Sequence, residues 1–429
     1  MSGQSKTLYF VKLAAFLTSK SAVFFGPLLL SNILTGSEYG LLESALAVAM
    51  ITALFLGAGT SAAIPYFTIK HKDDLAYLGV YIHLLFVVLL TLALSFIDWT
   101  AGTYPITLTL VLIAHFSLQR ILAAEFATKS RPALSSFAAA YLYMVLLVAA
   151  GSHWLGFDVG LSTLKGFLTI AALPLIAWLL WKLYQLWGAI PDRFQAVHQL
   201  KMYRFATSTL LLTAMMLTAA SFVRLIGPVV VGEEETGRYG FFLRLAAISV
   251  VFCQFLSVLW YRKIYESDQE SADNKFTIIL AIVSVASIFV YSCSEFILGG
   301  YFVYLEGFEP FSYLDVFSIV SAFSIFWAGL AMTEALICRE GMAGPAALID
   351  LCAASAGFLI FFALVYFNVA TVSLESLASA HLLVSGMIVL LHCEVLRRKN
   401  VYLRKFYTTS AIMFSIAFMG ILANAYFTL

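Results

Sequence analysis

Charge is what this chain has least of. Asp, Glu, Lys and Arg make up 11% of its 429 residues and hydrophobic residues 62%, where soluble domains are about a quarter charged. That shortage excludes a soluble globular fold, since no soluble domain could bury so much apolar surface. The chain also lacks the motifs that carry chemistry. It contains no G-x-x-x-x-G-K-[ST] phosphate loop, so it does not use ATP directly, and no G-x-S-x-G or H-E-x-x-H signature. The five cysteines have no metal-ligand spacing and read as small apolar residues, so no metal and no catalytic group is expected. No basic cluster interleaved with aromatics is available for nucleic acid. The N-terminus lacks a small-x-small cleavage site, and the first apolar run is expected to be retained.

What remains is a succession of apolar runs of the length that crosses a bilayer, about 20 residues for about 30 Å of hydrocarbon. They are too long and too evenly apolar for barrel strands, which alternate. Spans are expected near 8–33, 38–66, 75–97, 103–128, 132–156 and 161–187, then 205–231, 238–262, 275–299, 312–338, 345–369 and 375–396, with a last near 404–428. The reading is an all-α membrane protein of 12 to 13 transmembrane helices. Its organisation is an N-terminal lobe over 1–190, an interlobe linker over 191–204, a C-terminal lobe over 205–400 and an additional helix over 401–429. With the N-terminus in the cytoplasm, Lys and Arg distribute as the positive-inside rule requires. Of the 25, Lys165 and Arg238 alone fall in outer segments. Lys12, Lys20, Arg120, Arg224 and Arg244 fall inside spans, and the rest are cytoplasmic.

One phrase occurs twice. "GPLLLSNILTGSEYG" starts at Gly26 and "GPVVVGEEETGRYG" at Gly227. Gly26 and Pro27 match Gly227 and Pro228, Thr35 and Gly36 match Thr236 and Gly237, and Tyr39 matches Tyr239 after a one-residue gap. Singly, Gly-Pro is a helix kink and Thr-Gly a tight turn. Their joint recurrence on spans of the same orientation predicts two six-helix lobes related by an internal pseudo-two-fold axis along the membrane normal. In that plan Gly26, Pro27, Gly227 and Pro228 are hinge candidates, because backbone bonding is already weak there.

Ionisable groups inside a span are costly without a partner or a wet cavity, and are functional candidates for that reason. Lys12 and Lys20 lie roughly on one side of the first span, and Lys12 is near enough to its cytoplasmic end to snorkel. If spans 1, 2, 7 and 8 line a cleft, Lys20, Glu43, Arg224 and Arg244 give it a net positive charge with one acid. Arg forks and a Lys point charge suit a large phosphorylated anion. The competing reading pairs Glu43 with one arginine as a structural ion pair. Arg120 and Glu125, five apart on span 4, lie on different faces. Glu334 and Asp350 are expected to pair with Arg339 or to be hydrated, and His83 and His115 read as packing histidines.

The segment "LLLSNILTGSEYGLLESALAVAMITALFLGAGTSAAIPYF", with its short outer turn and Gly-rich second span, resembles the Wzx-type O-antigen and polysaccharide flippases of the multidrug/oligosaccharidyl-lipid/polysaccharide exporter superfamily. The textual match covers about residues 20 to 67 and the repeat; the layout covers most of the chain. The resemblance implies a MATE-like V-shaped central cavity and alternating access. It implies transport of undecaprenyl-pyrophosphate-linked oligosaccharide from the inner to the outer leaflet of a bacterial cytoplasmic (inner) membrane. It implies substrate-binding cations, here Lys20, Arg224 and Arg244 with Lys12 and Arg120 beside them. Coupling to H+ or Na+ would use Glu43 or Glu125, and no other cofactor is expected. Partners would be membrane lipids and the polymerase and glycosyltransferases of the same pathway, with no nucleic acid. Thirteen spans depart from the usual twelve or fourteen. Two alternatives stay open: a cation-coupled multidrug exporter of MATE type, and an integral-membrane polymerase or glycosyltransferase, against which the short outer loops count.

Overall fold

The structure is a computed structural model that describes residues 3–65, 76–97, 105–129, 131–187, 196–266, 268–293, 314–367 and 371–428. Every regular element among them is a helix, as a bilayer requires of backbone that must satisfy its own hydrogen bonds. In chain order these are α1 (Gly3–Leu30), α2 (Gly36–Leu56), α3 (Thr60–Pro65), α4 (Ala76–Ser95), α5 (Ile106–Thr128), α6 (Pro132–His153), α7 (Leu161–Trp187), α8 (Ala196–Val230), α9 (Glu233–Glu266), α10 (Gln269–Ser292), α11 (Leu314–Arg339), α12 (Ala343–Tyr366), α13 (Leu374–Arg397) and α14 (Arg404–Thr428). Twelve of them are long and apolar enough to cross a membrane. The 34-residue α9 covers the remaining expected span.

The chain divides into two compact units, residues 1–210 and 211–429. In the first, α5 is the central helix, contacting α2, α3, α4, α6 and α7, while α1 packs along α6. In the second, α11 holds that place, against α9, α10, α12 and α13. α14 lies against α10 and α13, fixed by Asp273, whose carboxylate accepts from the backbone N–H groups of Lys405 and Phe406 at 3.0 and 2.9 Å. These N–H groups open α14 and have no partner within the helix, so a buried acid there satisfies two orphan donors at once.

Three local expectations change. The second span was read as continuous to residue 66, but α2 ends at Leu56 and α3 begins at Thr60. Ala58 and Gly59 between them have positive φ, and a Cβ on Gly59 would stand 2.6 Å from the Ala206 carbonyl oxygen. Hydropathy cannot register a break made of Gly and Ala. The Thr35-Gly36 step, read as a tight turn, is the start of α2. Thr35 is its N-cap, in a reciprocal capping box with Glu38. In the second copy of the phrase the turn falls earlier, at Gly232 with φ 95°, so Thr236 is already inside α9 and its hydroxyl bonds the Gly232 carbonyl at 2.7 Å. Finally, residues 196–204, expected within the interlobe linker, belong to α8, which runs unbroken to Val230.

Candidate functional site

The first unit carries Lys12, Lys20, Glu43, Arg120 and Glu125 of the ionisable residues singled out by sequence. Lys20 sits on α1 within a span. Its ammonium has the Phe16 ring 5.6 Å away and, among the described residues, no carboxylate and no hydrogen-bond acceptor within reach. Among the described residues the ring quadrupole is the contact that stabilises a cation there. Glu43 on α2 is completely buried and accepts a 3.1 Å hydrogen bond from the Tyr39 hydroxyl one turn earlier. Lys20 and Glu43 do not pair. Glu125 on α5 is engaged from three sides, by Lys129, by Lys182 of α7 at 3.0 Å and by Tyr81 of α4 at 2.9 Å. It ties three helices together. Arg120, one turn and a residue before it, borders a small cavity with His83 and Ser117 beside the α2–α3 break. At about 20 Å³ that space holds roughly one water. The side chain of Lys12 lies outside the described residues.

The two histidines act as helix ties. His115 is buried, bonds the Leu168 carbonyl of α7 at 2.7 Å and stacks on Tyr141. His83 reaches the Leu56 carbonyl at the end of α2 (2.7 Å) and the Tyr203 hydroxyl (3.2 Å).

The glycines of the repeated phrase serve close packing. A Cβ on Gly26 would lie 2.5 Å from the Tyr143 carbonyl oxygen, so its absence lets α1 approach the backbone of α6. A Cβ on Gly227 would strike the Thr236 hydroxyl instead. Pro27 and Pro228 fall in the last turn of α1 and α8, and both helices continue past them.

In the second unit Arg224 on α8 is buried and donates to Ser221 Oγ at 3.0 Å. Arg244 on α9 is half-buried and has interactions of its own. Tyr239, the counterpart of Tyr39, is fully buried, and its hydroxyl meets His381 Nδ1 at 2.8 Å; His381 Nε2 bonds the Ala219 carbonyl.

The sequence reading missed a second polar centre here. Asp350 does not pair with Arg339, whose Nε bonds Glu340 at 2.8 Å. Asp350 Oδ1 lies 2.7 Å from His392 Nε2 on α13, and His392 Nδ1 lies 2.8 Å from Thr333 Oγ1 on α11. All three residues are buried, His392 and Thr333 completely. Glu334, next to Thr333, accepts from Thr213 of α8 at 3.1 Å. Asp350 Oδ2 is buried without a hydrogen-bond partner among the described residues. Asp350 also borders a cavity of about 750 Å³ between α8 and α12, whose walls are otherwise mainly apolar, including Phe222, Phe358 and Phe362. One signal of this centre was present in the sequence. His381 and His392 are eleven residues apart, three helical turns, and so share one face of α13.

No family model matches the sequence, and no curated protein matches it. Among solved structures the chain is similar to an inward-facing conformation of a multidrug resistance MATE family transporter of the MOP superfamily. The identity is 13%, the TM-score 0.51, and the match covers 95% of this chain and 98% of that one. The chain therefore has the fold of a MATE transporter over nearly its whole length.

Proposed function

We propose that this protein is a flippase that carries polyprenyl-pyrophosphate-linked oligosaccharide units from the inner to the outer leaflet of a bacterial cytoplasmic membrane. The observation that carries this reading is Lys20. It is a lysine within an apolar span with a phenylalanine ring for company and, among the described residues, no acid paired with it. Such a cation is unfavourable in hydrocarbon unless an anion or water reaches it. A pyrophosphate headgroup supplies the missing charge. Arg224, its guanidinium oriented by Ser221, and Arg244 present forks that fit phosphate oxygens. Of the two span acids Glu43 and Glu125 in the first unit, Glu125 holds three helices, and Glu43, with its bond from Tyr39, is the candidate for a coupling ion. The protein supplies a path and no covalent chemistry.

The test is to replace Lys20, Arg224 or Arg244 by Ala and to measure both surface polysaccharide in cells and movement of lipid-linked oligosaccharide in proteoliposomes. Loss of one charge-assisted phosphate contact, about 1.5–3 kcal/mol, is expected to slow flipping by about tenfold or more at normal protein levels. Unchanged polysaccharide in all three variants overturns the reading. Unchanged polysaccharide together with lost resistance to lipophilic cations would favour multidrug export.

A further inference from the structure

We propose that the space between α8 and α12 is a groove for the polyprenyl tail of the lipid-linked substrate. The identity of that lipid rests on the flippase reading, while the groove itself rests on the residues that line it.

Two facing stripes make its walls. On α12 Leu351, Ser355, Leu359 and Phe362 follow at intervals of four, four and three, and on α8 Thr218, Phe222, Leu225 and Val229 follow at four, three and four. Each set therefore keeps to one side of its helix. The stacked rings of Phe222 and Phe358 cross between the helices, and Phe358 is buried. At the rim Leu359 is 70% and Val229 89% exposed, so the space is open on their side. Elsewhere α12 is packed against α13, where a Cβ on Gly357 would strike Val384. The matching pair in the first unit, α1 and α6, closes on the Tyr143 backbone at Gly26. The shared plan does not require a space here.

The lining selects an uncharged chain. No Lys or Arg contributes to it. Asp350, its one acid, is 2% exposed, and Oδ1 lies 2.7 Å from His392 Nε2. Arg224 comes two residues after Phe222, about 200° around α8, and so lies on the other side of that helix. One face of α8 thus carries the guanidinium that suits a pyrophosphate and another carries the groove. Head and tail of one lipid meet different faces of the same helix.

Length separates this tail from ordinary lipid. A chain gains no hydrophobic energy by leaving other hydrocarbon, so preference for it must come from fit. The lining runs from Asp350 to Phe362 on α12 and from Met215 to Val230 on α8, about 18 and about 22 Å at about 1.5 Å per residue. It passes through Ala354 and Ser355, the middle of the 24-residue α12. One leaflet supplies about 15 Å, half of the about 30 Å of hydrocarbon. An acyl chain anchored at either surface ends near the midplane and covers part of the groove. A polyprenyl chain continues past the midplane and covers all of it. The volume of about 750 Å³ is that of a ligand site, and Phe222, Phe358 and Phe362 offer broad apolar rings to the methyl branches of such a chain.

The test uses the full-length protein in nanodiscs and undecaprenyl phosphate carrying a photoreactive diazirine in mid-tail, with labelled residues located by mass spectrometry. Labelling is expected to concentrate on residues 215–230 and 350–362. Excess unlabelled undecaprenyl phosphate should lower it at least about tenfold, and excess phosphatidylglycerol should not. Ala354→Leu, which adds bulk in mid-groove, should lower it about fivefold. Label spread evenly over the lipid-facing helices overturns the proposal, as does labelling unchanged in Ala354→Leu. Equal labelling by phosphatidylglycerol with the diazirine in its acyl chain would give the groove to ordinary lipid, and displacement by tetraphenylphosphonium alone would give it to a lipophilic cation; either result overturns the proposal too. Should Ala354→Leu fail to fold, the competition in the parent protein decides. No transport is measured. Groove labelling in a protein that moves no lipid-linked oligosaccharide sinks the flippase reading alone, and lost flipping in Lys20→Ala with no label in the groove sinks the groove alone.

Discussion

The first helix of each unit carries the same Gly-Pro phrase, yet the two helices meet different neighbourhoods. α1 packs along α6, the fifth long helix of its unit, so closely that Gly26 has the Tyr143 backbone against it. α8 stands apart from α12, the fifth long helix of the second unit, across a cavity of about 750 Å³, bridged by the stacked rings of Phe222 and Phe358. The acids divide the same way. Glu125 in the first unit is engaged by two lysines and a tyrosine, whereas Asp350 in the second keeps one oxygen without a partner among the described residues. A shared plan has been filled in with close helix packing in one unit and, in the other, with space between two helices and a carboxylate oxygen that has no partner among the described residues.

Removing each acid is the most forceful way to break that comparison. Glu125→Ala leaves Lys182, with 15% of its side chain exposed, facing no carboxylate among the described residues. Breaking a buried ion pair from one side costs about 3–5 kcal/mol, so a fall of that order or the loss of folded protein is expected in thermal unfolding in detergent. If Glu125→Ala proves as stable as the parent, the first unit is not held by this junction.

The glycines come next. Gly26→Ala drives a methyl group into the Tyr143 carbonyl oxygen, a backbone atom that cannot turn aside. Overpacking of this kind costs about 1–3 kcal/mol. Gly227→Ala meets the Thr236 side chain, which can rotate, so the cost should be smaller. The double variant Gly227→Ala, Thr236→Ala should be more stable than Gly227→Ala alone. A Gly227→Ala protein less stable than Gly26→Ala would reverse the assignment of the tighter packing to the first unit.

These contrasts explain how far the sequence could be read. Hydropathy locates long helices because it reports a property summed over about 20 residues. The repeat at Gly26 and Gly227 is visible because it is local in the chain. The α2–α3 break was hidden, since Gly57, Ala58 and Gly59 are as apolar as a span and act through backbone φ. The Asp350–His392–Thr333 centre was hidden for the opposite reason. It is assembled from three helices, with 42 residues between the acid and the imidazole and 59 between the imidazole and the hydroxyl. Each is unremarkable where it stands. Lys20 was legible because a lysine within an apolar run declares its cost without any knowledge of its neighbours.

A milder change sharpens the contrast between packed and open helix pairs. Ala354 lines the cavity of the second unit, so Ala354→Leu adds three carbons where space exists. Stability should change by about 0.5 kcal/mol or less, against the larger loss from a single methyl at Gly26. If Ala354→Leu destabilises as strongly as Gly26→Ala, the cavity is not open space in the folded protein.

A small stability effect is also expected at Asp350. Asn at this position keeps an oxygen that can accept from His392 Nε2–H, and Oδ2 has no hydrogen bond to lose. Melting should therefore shift by no more than about 1 kcal/mol of stability, in contrast to Glu125→Ala, although both acids lie inside spans. If Asp350→Asn destabilises as strongly as Glu125→Ala, the acid of the second unit is as firmly built into its helices as that of the first, and the contrast between the units fails.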